Sequence, residues 1–125
     1  MDSDDSASIW NRACFPEGTN LRCGDKALAA MILAHSLTMN GGVLHAIECL
    51  EPARLAEAQS GYRFFSLDSV ADLFTSAHRE FAALGDFAKE EDLWAEYAAL
   101  VPDDSYLVER FEEHLRQNPP DFALA

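Results

Sequence analysis

Apolar positions fall at helical spacing along almost the whole chain, and they are densest between Asp25 and Gly42, DKALAAMILAHSLTMNGG. The fifteen residues from Asp25 to Met39 contain neither Pro nor Gly, and alanines fill between Leu28, Met31, Ile32, Leu37 and Met39. A helix that is apolar nearly all round belongs in the middle of a core. Asn40-Gly41-Gly42 then predicts its end, because Asn and Gly accept the left-handed backbone that closes a helix.

The flanking segments read as shorter helices around that rod. Ile9, Trp10 and Ala13 can share one face of a turn or short helix over Ser8 to Cys14, followed by a turn at Phe15-Pro16-Glu17-Gly18. Asp25 stands where a first-turn or capping carboxylate favours a helix N-terminus. Val43, Leu44, Ile47 and Leu50 predict about two turns of helix. Glu51-Pro52 opens another, with Leu55, Ala56 and Ala58 inside and Gly61 as its stop. Tyr62 to Phe65 is an aromatic connector, the one place where a short extended piece would fit. With Ser66 as N-cap, Leu67, Val70, Leu73, Phe74, Ala77, Phe81 and Leu84 form the stripe of an amphipathic helix that Gly85 ends. A helix over Phe87 to Leu100 points Leu93, Trp94, Tyr97 and Leu100 inward until Val101-Pro102 breaks it. Asp104 or Ser105 caps the last helix, whose inner stripe is Leu107, Val108, Phe111 and Leu115. The fold class is all-α: a single bundle of six or seven helices around the central one, spanning residues 25–122. An acidic tail and short helix or turn precede it over residues 1–24, and a tail over 123–125 follows.

Length and composition make this core self-sufficient. At 125 residues and 49% hydrophobic, the chain needs neither disulfide nor metal to fold. No apolar run approaches the roughly 18 residues that span a bilayer, and the acidic start MDSDDS lacks the profile of a secretion signal. A cytoplasmic protein is expected. Its three cysteines, Cys14, Cys23 and Cys49, form no CxxC pair and are expected as reduced, buried thiols.

Charge changes the picture most. Net charge is −13, which opposes direct binding to nucleic acid or to an anionic membrane and favours cationic partners. Residues 86–113 alone contribute −8, through Asp86, Glu90, Glu91, Asp92, Glu96, Asp103, Asp104, Glu109, Glu112 and Glu113. Acids three or four apart on a helix repel each other by a few tenths of a kcal/mol per pair, so local stability gives no reason for them. Either they form a solvated face that aids solubility, or they form a partner-binding surface. Duplex DNA carries about twelve charges over the roughly 21 Å of a fourteen-residue helix, and −8 is about two-thirds of that. A helical hairpin of this kind could imitate a short piece of duplex, and a homodimer would be needed to imitate a full operator.

Candidate chemistry is sparse. His45 and Cys49 stand four apart on a predicted helix, a spacing compatible with two metal ligands, with Glu48 or His35 as further donors. The competing reading is a helix histidine and a core thiol. His35, in the most apolar helix, is expected as an uncharged imidazole hydrogen-bonded to a neighbour, whereas His78 and His114 are expected at the surface. No GxSxG, HExxH, Walker or dinucleotide-binding glycine pattern is present, and no cofactor is implied.

The order of these pieces resembles the small, acidic, all-helical domains of the DNA-mimic protein type, most of them catalogued only as a domain of unknown function. Three runs carry it: Met39-Asn40-Gly41-Gly42, Phe65-Ser66-Leu67-Asp68-Ser69-Val70-Ala71-Asp72-Leu73-Phe74, and the ending Glu113-His114-Leu115-Arg116-Gln117-Asn118-Pro119-Pro120-Asp121-Phe122. Val43-Leu44-His45-Ala46 replaces that family's usual aromatic and amide-rich continuation after the glycines. The resemblance implies a non-enzymatic domain whose acids occupy the basic DNA-binding surface of a regulator. The expected function is thus an acidic protein-interaction module. The alternatives are an immunity-type protein neutralising a basic toxin and a metal-dependent enzyme built on His45 and Cys49.

Overall fold

The computed structural model describes residues 3–15, 21–84 and 90–123. Among them the chain forms α1 (Ser3–Cys14), α2 (Cys23–Gly41), α3 (Val43–Cys49), α4 (Pro52–Phe64), α5 (Asp68–Leu84), α6 (Glu90–Leu100) and α7 (Asp104–Gln117). A 3₁₀ turn over Pro119–Asp121 follows, and there is no strand among the described residues. The all-α expectation is met. The turns expected at Pro16-Glu17-Gly18 and Gly85, and the start of the penultimate helix at Phe87, lie outside the described residues.

As the apolar pattern requires, α2 lies at the centre, packed against α1, α3 and α4, while α5 packs on α3, α4 and α6. Leu28, Met31 and Ala34 on α2 are fully buried with Val43, Tyr62, Phe74, Leu107 and Phe111. Each large apolar side chain so buried contributes about 1.5–3 kcal/mol relative to its exposure in water. The helix is less uniformly enclosed than its sequence suggests, because Leu33 and Met39 stand exposed on its outer side. The N-terminal helix, expected from Ser8, begins at Ser3, and Ile9 anchors it in the core at 1% exposure.

Two glycine and serine positions depart from expectation, each for a physical reason. Gly61 does not stop α4, which continues through Tyr62 to Phe64, so the extended aromatic connector is helix instead. Gly61 is where α4 meets the α2 backbone: a Cβ there would lie 2.6 Å from the Ala27 carbonyl oxygen. Glycine serves here for space. The stop comes at Ser66, whose φ of 64° is the only positive φ of a non-glycine residue among those described. Leu67 N–H donates to Tyr62 O (2.8 Å) and Ser66 N–H to Arg63 O (3.0 Å), the paired bonds of a Schellman closure. Ser66 is therefore the left-handed residue ending α4 rather than the N-cap of α5, which starts at Asp68.

Asp25 does more than favour the start of α2. Its carboxylate, 3% exposed, accepts hydrogen bonds from the backbone N–H groups of Arg22 (3.0 Å) and Ala123 (2.8 Å) and from the Arg12 guanidinium. One buried carboxylate thus ties α1, the first turn of α2 and residue 123 together. Phe122 packs beside this clasp in an aromatic group with Phe65 and Phe111.

Candidate functional site

The acidic residues of α6 and α7 divide into two groups once their partners are seen. Several serve the fold. Glu90 reaches across to the start of α3, where its carboxylate accepts from Leu44 N–H (3.2 and 3.3 Å). Gly42, at φ 101°, abuts that carboxylate, and any Cβ at position 42 would overlap it. Asp103 is the N-cap of α7, one residue earlier than expected, and accepts from Tyr106 N–H at 3.0 Å. Glu112 accepts from the Ser6 hydroxyl (3.1 Å), and Glu113 pairs with Arg110 (3.1 Å). Asp104 holds His35. Asp86 lies outside the described residues.

The remaining four, Glu91, Asp92, Glu96 and Glu109, are exposed and carry no hydrogen bond or ion pair among the described residues. Trp94, expected inward, stands 38% exposed on α6 between Asp92 and Glu96, because Leu93 and Tyr97 take the buried face of that helix. The two acidic helices do not pack closely side by side: α6 lies on α3 and α5, whereas α7 lies on the 3₁₀ turn and, through Phe111, against Trp10 of α1. The described acids of this region are therefore divided between two helices that pack on different neighbours.

Three side chains inside the bundle and one exposed at its surface, from four helices, form a continuous hydrogen-bonded chain. Tyr62 Oη (α4) lies 2.8 Å from Tyr97 Oη (α6), which lies 2.7 Å from His35 Nδ1 (α2). His35 Nε2 lies 2.7 Å from Asp104 Oδ1 at the start of α7. Proton positions follow from the partners. An ionised carboxylate only accepts, so Nε2–H donates to Asp104; with the imidazole in its neutral form, Nδ1 then accepts from the Tyr97 hydroxyl and the Tyr97 oxygen accepts from Tyr62. Three hydrogens fill three gaps. Burial pushes the Tyr62 phenol well above its ordinary value, reinforced by the charge of a Tyr97 phenolate and by the bond it donates to Tyr97. Burial also raises Tyr97, against the opposing effect of the hydrogen bond it accepts from Tyr62.

Both ring nitrogens of His35 are occupied by side chains of the fold. A catalytic His–Asp pair needs its second ring nitrogen directed at a reacting group. Here Tyr97 occupies that nitrogen inside the core. Periodicity pointed to His35 as a hydrogen-bonded core imidazole, and this holds; its three partners, 62 to 69 residues away or reached through one another, leave no local signal.

The other candidates separate as follows. His45 and Cys49 do meet, with Sγ 3.7–3.8 Å from the ring nitrogens, yet no group of three or more His, Cys, Asp or Glu side chains suited to a metal gathers among the described residues. Cys14, Cys23 and Cys49 are all exposed, contrary to the expectation of buried thiols, because each falls at a helix end or outer face. His78 is exposed as expected. His114 is not: it is half-buried, bonded to Asp121 at 2.8 Å and packed among Phe64, Phe65 and Phe122. No helix among the described residues is long and apolar enough to cross a membrane.

Comparison with known proteins adds no relative: no family model, curated protein or solved structure matches the chain.

Proposed function

We propose that the protein is an acidic protein-interaction module that docks on a basic protein surface through Glu91, Asp92, Glu96 and Glu109. The observation that carries this reading is that these four exposed acids have no hydrogen-bond or ion-pair partner among the described residues, in a fold that gives work to most of the acids around them. Nothing among the described residues compensates their mutual repulsion, and a cationic partner would relieve it. Trp94, exposed among them, supplies the kind of aromatic anchor on which interface energy concentrates. The separation of α6 and α7 favours a partner that meets one helix or wraps two faces. It favours imitation of a straight duplex less, so occupation of a DNA-binding surface is the narrower form of the proposal.

The test compares wild type with the Glu91→Lys, Asp92→Lys, Glu96→Lys, Glu109→Lys variant, both immobilised and exposed to lysate of the source organism at low salt. Proteins retained by the wild type should be basic, should elute as salt rises, and should be missing from the variant. Retention of the same set by both would refute the assignment. Circular dichroism establishes that the variant is folded, and these positions are exposed and free of partners among the described residues.

A further inference from the structure

An apolar groove of about 1210 Å³ lies between the end of α1, the outer side of α2 and the face of α4. It exceeds the roughly 300–1,000 Å³ of common small-molecule clefts, and its residues on α2, from Cys23 to Ser36, span about 20 Å of helix. Phe15, Ile32, Leu33 and Phe64 give it an apolar surface, and Phe15 (80%) and Leu33 (43%) are two of the most exposed large hydrophobics in the molecule. Apolar surface gathered in this way marks a place where something binds.

Charge narrows what that occupant is. In a chain of net −13, the described residues that line the groove include two cations, Lys26 and Arg54, and one acid, Glu57. Arg54 and Glu57 neutralise each other at 3.4 Å. Lys26, exposed beside the apolar lining, makes no ion pair among the described residues. Lys26 offers a basic partner nothing to pair with, and a polyanionic peptide meets the field of the whole acidic chain. A single carboxylate on a long alkyl tail meets one cation and much apolar surface while adding only one negative charge. We propose that this groove binds a fatty-acid-like amphiphile, with its carboxylate on Lys26 and its alkyl chain running along α2 past Leu33. The site is independent of the acidic docking surface on α6 and α7.

The thiols report on it. Cys14 and Cys23 line the groove, whereas Cys49 is exposed elsewhere, on α3. The experiment follows maleimide modification of each cysteine while laurate or dodecanol is titrated below its aggregation limit. Laurate should slow the reaction of Cys14 and Cys23 and leave Cys49 unchanged. Lys26→Glu should raise the laurate concentration needed by about five- to tenfold and leave dodecanol protection unaltered. Leu33→Asn, at an exposed position, should weaken protection by both. Equal loss of reactivity at all three cysteines, no protection at all, or the same laurate dependence in wild type and Lys26→Glu would each overturn the proposal.

Discussion

Removing the Tyr97 hydroxyl should cost far more than removing the Tyr62 hydroxyl, although the two phenols bond to each other. In Tyr97→Phe, the Tyr62 O–H loses its acceptor and His35 Nδ1 loses its donor, both inside the bundle. Tyr62 is fully buried and His35 is 8% exposed, so water repairs neither. An unsatisfied buried group costs about 1–3 kcal/mol, which places Tyr97→Phe at about 2–4 kcal/mol. In Tyr62→Phe, Tyr97 keeps its bond to His35 and loses only one accepted hydrogen bond, at about 0.5–1.5 kcal/mol. The double variant sharpens this. Once Tyr97 is Phe, the Tyr62 hydroxyl is an orphan, so its removal should be neutral or stabilising. Urea denaturation of the four proteins, followed by tryptophan fluorescence with the slope held as a check on two-state behaviour, measures the cycle. If Tyr62→Phe costs the same in both backgrounds, the directional chain described here is wrong.

Other consequences can be measured directly. Both tyrosines are held neutral in the fold above the ordinary phenol value of 10.0. Their raised folded values mean that this stabilisation is fully present below about pH 10 and is lost as pH rises beyond it, because the unfolded chain then ionises first. The urea midpoint should therefore fall from pH 10 upward, more steeply than in the Tyr62→Phe, Tyr97→Phe double variant; parallel curves would contradict this. Ser66→Gly should raise stability by about 0.5–1 kcal/mol, because glycine occupies a left-handed closure without the Cβ penalty. A lowered urea midpoint would show that the Ser66 side chain contributes something its backbone does not reveal.

How far the sequence can be read differs between fold and site. The helices were legible because an apolar stripe at 3.6-residue spacing has one good solution, and α2, α5 and α7 lie close to where their stripes place them. Punctuation was less legible. Glycine signals either a left-handed turn or a close approach, and Gly61 has the second meaning while Ser66 takes the role glycine usually fills. Trp94 failed for a related reason, since a one-residue rotation of the helix face decides whether Leu93 or its neighbour is inward. The acidic region was visible as a charge imbalance, but a charge count does not distinguish Glu90, spent on the start of α3, from Glu91, which faces solvent. That distinction depends on contacts 46 residues apart.

The Asp25 clasp has a consequence for how the molecule is made. Its ligands are residues 12, 22 and 123, and two of its bonds join positions 98 and 111 residues apart, Ala123 N–H to Asp25 and Arg12 to Ala123 O. During synthesis, α1 and α2 emerge early and can pair through Arg12 and Asp25, but one acceptor position on that carboxylate waits for a backbone amide nearly a hundred residues later. The first two helices are thus assembled around a vacancy that only the last part of the chain fills, and nascent chains arrested before residue 123 should hold α1 less firmly than the finished protein does.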